Sequence, residues 1–298
     1  MQLLTKFTLW IFKKMSELSM DRLYRIAEIM TIAASTFRIF PFNRNIRNSL
    51  NAAFPEYSQE TLKEIEKKHY KCLCENVAEF IASSRYTCEE MKQKMRYKNL
   101  EILDELFKTH KFVICYCGHM SGYELFTGLP LWRENYGMCN YYQATPDNQQ
   151  IEEWACQRRE RFGAEGIPIQ TPLRKILCIK QQLESGTTTK RGYVLGSLAD
   201  FPPKDSSATG SFFFFNKRIK GLVGTERIGK KIDAAYVYAR MLRVGRGEYE
   251  VELIPLHNQQ DDSPYQHTQA FYRELEKNIR LQPEIWLMWA YSNLTERS

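Results

Sequence analysis

Long uncharged apolar runs are missing from this 298-residue sequence. Charged side chains interrupt every apolar stretch of the first 48 residues before it reaches the roughly 18 residues that a membrane-spanning helix needs. The run after Lys6 ends at Lys13-Lys14 after six residues, and no small-residue cleavage site follows it. A secretory signal is therefore not expected.

Closely spaced metal and cofactor motifs are missing as well. The eight cysteines contain no Cys-x-x-Cys pair, and none of them lies in the last 120 residues. A disulfide framework needs a shorter chain denser in cysteine, and a zinc site needs clustered Cys or His. There is also no His-Glu-x-x-His motif, no P-loop and no Gly-x-Gly-x-x-Gly turn. We therefore expect reduced, cytosol-facing thiols and predict neither a metal nor a nucleotide cofactor.

The overall composition is that of a folded protein. Hydrophobic residues make up 43% and charged residues 26% of the chain, which excludes a disordered polar chain and a multi-span membrane protein. The length suits one large domain or two small ones. The formal net charge is +7, and residues 1–48 carry eight basic against three acidic side chains, or five of those seven charges.

The first 48 residues combine this positive charge with aromatic and aliphatic side chains such as Phe7, Trp10 and Phe12. A basic amphipathic helix of this kind can lie in the headgroup layer of an anionic membrane. An ordinary surface helix packed on the domain would show the same amphipathic pattern, and a tilted single span is a weaker alternative. We interpret the segment as a membrane-docking region, peripheral or anchored by a single span.

The predicted secondary structure of the remaining chain changes near residue 100. Residues 43–98 are predicted to be helical, with Ser58 as an N-cap. Short β-rich runs then alternate with helical patterns of 10–15 residues, which is typical of βαβ units. We predict an α/β fold with a largely parallel mixed sheet flanked by helices. We expect residues 1–98 to form an N-terminal helical, membrane-associated region and residues 99–298 to form the α/β domain.

One stretch stands out as a candidate site. A buried strand ends at Gly118, and His119 follows at the point where a helix is about to begin, with Glu124 five residues later. Reactive groups in open α/β sheets lie just beyond the carboxyl ends of strands. A carboxylate on one imidazole nitrogen would fix the tautomer and leave the other nitrogen as a base. A structural histidine is the competing interpretation, and the other four histidines lack a comparable partner.

The Phe212–Phe215 run has two interpretations. It could line a channel for an apolar chain or touch lipid, but burial or edge packing is slightly favoured.

The order of several segments then resembles a known family. The segments are Arg44–Glu56, the Gly-His-x4-Glu stretch, Arg158–Gly163, Val194–Asp200 and Pro283–Trp289. This order is similar to that of the late acyltransferases of lipid A biosynthesis (the lauroyl and myristoyl acyltransferase type), a branch of the lysophospholipid acyltransferase superfamily. The resemblance covers about residues 15 to 290.

The resemblance implies a membrane-bound enzyme on the cytoplasmic face of the inner membrane. It implies transfer of a fatty acyl group from acyl carrier protein to a hydroxyl of a membrane glycolipid, a lipid A-type precursor, with no nucleic-acid partner. The family's catalytic residues fall on His119 and Glu124, and its substrate-binding residues fall on Arg159, Arg161 and Asp200. In this scheme Glu124 orients His119, and the arginines hold phosphate or sugar oxygens of the acceptor.

Three segments depart from the family pattern. Phe201 replaces a glutamine after Asp200, Ala290-Tyr291-Ser292 replaces His-Arg-Arg, and Gln143 replaces an arginine. A less cationic site suggests an acceptor with fewer phosphates. The alternatives are therefore an acyltransferase of the same fold that acts on an amino-acid lipid or lysophospholipid, or a non-catalytic membrane-binding homologue.

Overall fold

The computed structural model describes residues 2–37, 43–142, 149–201, 208–256, 264–292 and 294. Ten α-helices and nine strands lie in these residues. The helices are α1 (Gln2–Ser16), α2 (Met20–Phe37), α3 (Asn43–Ala53), α4 (Gln59–Ala82), α5 (Cys88–Lys94), α6 (Glu101–Leu106), α7 (Gln149–Glu160), α8 (Pro172–Glu184), α9 (Gly224–Lys231) and α10 (Gln266–Leu281). The strands are β1 (Met95–Tyr97), β2 (Phe112–Cys117), β3 (Tyr136–Tyr142), β4 (Ala164–Pro168), β5 (Gly192–Leu198), β6 (Thr209–Phe214), β7 (Lys217–Leu222), β8 (Ala235–Gly245) and β9 (Glu248–Pro255).

Seven strands form one mostly parallel sheet in the order β1-β9-β8-β2-β5-β3-β4. Only the β8–β9 pair is antiparallel, since these strands are joined by a tight turn. Every side chain of β2 is buried, as expected for a central strand covered on both faces. The predicted α/β fold with a largely parallel mixed sheet is thus confirmed.

The segment after β2 is a 3-10 helix, Tyr123–Leu131, instead of the regular α-helix that the sequence predicted. Pro130 lies inside it, and Gly122 precedes it with a left-handed φ of 82°. Only glycine fits at position 122, because a Cβ there would lie 2.6 Å from the ring of Tyr249. This tight turn directs the chain across the carboxyl end of the sheet.

A second sheet was not predicted. Strands β6 and β7 form an antiparallel hairpin that packs on α10. Phe212, Phe214 and Phe215 of the phenylalanine run are buried, whereas Phe213 is 58% exposed. The favoured interpretation of this run, burial, therefore holds for three of its four rings.

The N-terminal helices pack on the rest of the chain mainly through α4, which contacts α1, α2 and α3. The Ser58 side chain caps α4 by accepting from the Thr61 N–H at 3.2 Å, as predicted. Among the described residues, no helix is both long enough and apolar enough to cross a bilayer. All eight cysteines are free thiols. Strand β1, at the end of the predicted N-terminal region, pairs with β9 of the main sheet, and the division at residue 98 stays a prediction.

Candidate active site

His119 lies two residues beyond the end of β2, at the carboxyl edge of the sheet. Its Nδ1 is 2.5 Å from Oδ1 of Asp200, and its backbone N–H donates to Oδ2 of the same carboxylate at 2.8 Å. Asp200 follows β5, which pairs with β2, so the two adjacent strands bring their ends together. With Nδ1 donating to the carboxylate, Nε2 is the nitrogen left to accept a proton.

The carboxylate of Asp200 is held on several sides. Its side chain is only 1% exposed, and Trp286 Nε1 donates to Oδ2 at 2.8 Å. The C-terminal segment also fixes the backbone around His119, because Ser121 N–H donates to the Ile285 carbonyl and Leu287 N–H donates to the His119 carbonyl, both at 2.8 Å. His119 is therefore fixed through its backbone and through its ring.

This environment changes the pKa of both groups. Burial lowers the pKa of His119, but the negative charge and hydrogen bond of Asp200 outweigh burial, with a smaller contribution from Glu124, so the net pKa is raised. Burial likewise raises the pKa of Asp200, while the interactions with His119 and Trp286 outweigh it and lower the pKa overall. The pair thus favours a charged carboxylate and a stabilised imidazolium.

Glu124 has different partners from those that the sequence suggested. Its carboxylate accepts from Arg158 Nη2 at 2.6 Å and from Arg159 Nε at 3.0 Å. Burial raises its pKa, but the two arginines outweigh burial and lower the pKa to about 2. Asp200, and not Glu124 as expected, is therefore the carboxylate that is hydrogen-bonded to the imidazole of His119. Glu124 lines the same cavity as His119 and acts on it through its charge.

The predicted arginines divide into two environments. Arg159 lies on the cavity wall, where it also pairs with Glu152 at 3.0 Å. Arg161 instead donates to the backbone carbonyl of Ser84 and does not line the cavity. Asp200, predicted to bind substrate, lies beneath His119 with both oxygens occupied by donors of the chain. Of these three residues, only Arg159 lines the cavity beside His119.

A cavity of about 830 Å³ opens beside His119 at the carboxyl ends of β2, β5 and β3. One part of its wall is polar and charged, and another part, from the β6–β7 hairpin and α9, is mostly apolar. The polar part includes Glu124, Thr127, Asn140, Glu152 and Arg159. The apolar part includes Ala208, Leu222 and Ile228. A cavity of this size and mixed lining suits a ligand with a polar head and an apolar chain.

Two of the departures from the family pattern meet near His119. The Phe201 ring stacks on Tyr291 at a centroid distance of 6.2 Å and lies 6.4 Å from the imidazole. The two rings are 43% and 46% exposed. Gln143, the third departure, lies outside the described residues. Among the described residues, Arg159 is the only arginine or lysine that lines the cavity.

Sequence reasoning missed the connection between Asp200 and His119 and gave no role to Trp286. His119 was predicted to follow a strand, whereas Asp200 was identified only through the family resemblance. The rule that parallel strand ends share one edge places both at that edge, but the neighbour relation of β2 and β5 was needed to join them. No local signal marks Trp286 as the donor to Asp200.

Comparison with known proteins identifies the family of this chain. No curated protein matches the sequence. The family model described as bacterial lipid A biosynthesis acyltransferase matches residues 3–291, nearly the whole chain. The chain therefore belongs to the bacterial lipid A biosynthesis acyltransferase family and is an acyltransferase of lipid A biosynthesis.

Proposed function

We propose that the protein transfers a fatty acyl group from acyl carrier protein to a hydroxyl of a lipid A-type precursor at the cytoplasmic face of the inner membrane. The observation that supports this most strongly is the imidazole of His119, tied to a buried carboxylate at the wall of a large amphipathic cavity. His119 and Glu124 are the proposed catalytic residues, with Asp200 positioning the imidazole.

The proposed reaction is a direct transfer. Nε2 of His119 takes the proton of the acceptor hydroxyl as its oxygen attacks the thioester carbonyl. The carbonyl carbon then loses the carrier thiolate, which takes the proton back from the imidazolium. Asp200 holds the tautomer and stabilises the imidazolium, as a carboxylate does beside a histidine base. Glu124 adds negative charge and holds Arg159 toward the cavity, where its guanidinium can bind an acceptor oxygen anion.

Substitution of His119 tests this reaction. His119→Ala should lower acyl transfer from acyl carrier protein to a lipid A precursor by about 10²- to 10⁴-fold, the usual contribution of a general base. His110→Ala, in the loop before the same strand, is the matched control and should keep full activity. Unchanged transfer by a folded His119→Ala protein, checked by its thermal unfolding, would refute the proposal.

A negatively charged acyl carrier protein should bind to a basic surface of the enzyme. The solvent-facing side of the β6–β7 hairpin carries Arg218 and Lys220, and the same hairpin contributes Leu222 to the cavity. We expect transfer to slow with rising salt, since screening weakens association between oppositely charged proteins. Transfer rates are measured with acyl carrier protein and with a short uncharged thioester as donor. Only the rate with acyl carrier protein should depend on salt.

The exposed Phe201–Tyr291 pair favours a second acceptor. Phe201, which replaces the glutamine of the family pattern, lies beside His119, and Tyr291, which stands within the segment that replaces His-Arg-Arg, stacks on Phe201. An acceptor with fewer phosphates, such as an amino-acid lipid or a lysophospholipid, would suit these rings better than a doubly phosphorylated one. Mass spectrometry of lipids from cells with and without the protein decides between the two. An unchanged number of acyl chains on lipid A would favour the second acceptor.

A further inference from the structure

The turn that carries His119 is bounded by two glycines, Gly118 and Gly122. Gly122 is buried and has the left-handed φ of 82°. A glycine backbone has more conformational freedom than that of any other residue. The turn therefore needs contacts with other parts of the chain to keep the one shape that places the imidazole.

Helix α4 supplies one of these contacts through Asn76. Two N–H groups earlier in the turn donate to Asp200 and to the Ile285 carbonyl, both at 2.8 Å. The N–H of Gly122 donates instead to Oδ1 of Asn76, at 2.9 Å. The start of the turn is thus held by the sheet edge and the C-terminal segment, and its end is held by α4.

The helix is fixed on both sides of Asn76. Two helical turns earlier, Nδ1 of His69 lies 3.1 Å from the Glu284 carbonyl. Three residues later, Glu79 accepts from the Tyr249 hydroxyl at 2.5 Å. Positions three and seven residues apart share one face of an α-helix, so all three side chains face the same way. Asn76 therefore presents its oxygen from a helix that is tied to both the C-terminal segment and β9.

Release of Gly122 would displace the groups that surround the imidazole. Tyr123 follows directly, and its ring centroid lies 5.2 Å from that of His119. Glu124 comes next and lines the cavity. A buried N–H without an acceptor costs about 1–3 kcal/mol, so the glycine turn should shift toward another partner when Asn76 is lost. A shift of about 1 Å in a reacting group can lower a rate by about 100-fold.

We propose that Asn76 is a positioning residue, which holds the Gly122 N–H and so keeps the turn in the place where His119 meets Asp200. Asn76 does not line the cavity, and its effect passes through the turn. The consequence for acyl transfer rests on the proposed function, whereas the consequence for the contact between His119 and Asp200 does not.

Two substitutions of Asn76 test this role. Asn76→Leu is similar in size, favours a helix at least as well and removes the acceptor. Asn76→Asp keeps an acceptor oxygen at the same place. In Asn76→Leu, kcat should fall by roughly ten- to 100-fold with little change in KM, and Asn76→Asp should keep most of the activity. If Asn76→Leu does not fold, Asn76→Ala removes the same acceptor without added bulk and is measured in its place.

Titration of His119 gives a readout that needs no turnover. The ring C–H signals of the full-length protein are followed by NMR against pH, and His119→Ala identifies the signal of His119. Burial lowers the pKa of His119, but Asp200 outweighs burial and raises it, with a smaller contribution from Glu124. A turn that moves the imidazole away from Asp200 loses this contribution. His119 should therefore titrate at lower pH in Asn76→Leu, and should show no such decrease in Asn76→Asp.

Asn99→Leu is the matched control. Asn99 also binds the backbone of one residue, since it donates to the Leu253 carbonyl at 2.9 Å and accepts from the Leu253 N–H at 2.8 Å, beside β9. Its loss should lower thermal stability but leave kcat and the His119 titration unchanged.

The inference is overturned if Asn76→Leu leaves kcat and the His119 titration unchanged, or if Asn99→Leu alters both to the same extent. A shifted His119 titration in Asn76→Leu, together with an unaltered protein that transfers no acyl group, would refute the proposed function alone.

Discussion

At the residue scale, Glu124 is a buried anion shared by two guanidinium groups. The side chain of Arg158 is only 3% exposed, and its charge is balanced by Glu124. Glu124→Gln should therefore lower the free energy of unfolding by about 3–5 kcal/mol, because it leaves a buried cation without its counter-charge. Denaturant unfolding measures this loss.

Glu152→Gln is the matched control for that substitution. Glu152 pairs with Arg159 on the same cavity wall but is 21% exposed, so its loss should cost less than about 1 kcal/mol. Equal stabilities of Glu124→Gln and the unaltered protein would contradict the ion-pair role. Glu124→Ala should be destabilised for the same reason as Glu124→Gln, so a loss of its activity would not distinguish a defect in chemistry from a defect in folding.

Trp286 acts through another residue. Its indole N–H donates to Asp200, which in turn orients His119. Trp286→Phe keeps most of the ring but removes the donor, so we expect kcat to fall by roughly tenfold, as for an error in orientation worth about 1.4 kcal/mol, with little change in KM. The carboxylate becomes more basic, and the pH midpoint of the reaction should move upward.

The neighbouring indole provides the control. Trp289 Nε1 donates to the Pro283 carbonyl at 2.7 Å and does not contact Asp200. Trp289→Phe should lower thermal stability about as much as Trp286→Phe does. It should leave kcat and the pH midpoint unchanged. Parallel kinetic losses in the two variants would mean that Trp286 has only a packing role.

At the scale of secondary-structure elements, α2 has an exposed stripe of side chains that is basic near its start and apolar further along. Arg22 and Arg25 face solvent near its start, and Ile29 and Ile32 are 68% and 64% exposed further along. Trp10 of α1 is 57% exposed. Such a surface suits a headgroup layer, with the apolar residues inserted and the arginines on anionic lipid.

Vesicle binding tests the role of this stripe. Ile29→Ser combined with Ile32→Ser should reduce sedimentation with anionic vesicles by roughly tenfold or more, since two exposed aliphatic side chains each contribute on the order of 1 kcal/mol when buried in lipid. Leu177→Ser, which removes a 49% exposed leucine from α8, should leave binding unchanged. Equal losses in the two proteins would show that the stripe is not the docking surface.

The sequence patterns predicted the regular elements better than the irregular ones. Strand β2 ends just before Gly118 and helix α4 begins just after Ser58, as predicted, because an uninterrupted apolar run and an N-cap before a helical pattern are strong local signals. The 3-10 helix after Gly122 and the β6–β7 hairpin were missed. Their form depends on close contacts with Tyr249 and α10, which are distant in sequence.

At the scale of the whole molecule, a buried ionic cluster joins the N-terminal helices to the sheet. Arg243 of β8 donates to Glu75 at 2.6 Å, and Glu79 accepts from Tyr24 at 3.1 Å and from Tyr249 at 2.5 Å. Arg243→Met should lower the free energy of unfolding by about 3–5 kcal/mol, because the buried Glu79 loses its cation and the buried Glu75 keeps only the partly exposed Arg246.

The exposed Arg96 gives the comparison for Arg243. It faces Glu248 at 3.7 Å with 66% of its side chain exposed, and Arg96→Met should have an effect below about 1 kcal/mol. If Arg243→Met changed stability no more than Arg96→Met, the cluster would not be what holds α2 and α4 against the sheet.

The candidate site shows why the partner of the histidine was not identified from spacing. Glu124 is close to His119 in sequence, but its carboxylate accepts hydrogen bonds from the arginines of α7. Asp200 is distant in sequence and becomes a neighbour only because β2 pairs directly with β5. Local spacing therefore identified the histidine, whereas strand order decides which carboxylate orients it.

The pH dependence of acyl transfer by the unaltered protein and by Asp200→Asn tests the central claim most directly. The proposed reaction requires a neutral His119 as base, so kcat/KM should rise with pH to a midpoint above the ordinary histidine pKa, in line with its raised pKa. Asp200→Asn should move this midpoint to lower pH, because the negative charge that favours the imidazolium is gone, and should lower the plateau by about 10⁴-fold through loss of the correct tautomer. An unchanged midpoint and plateau in Asp200→Asn would contradict the account.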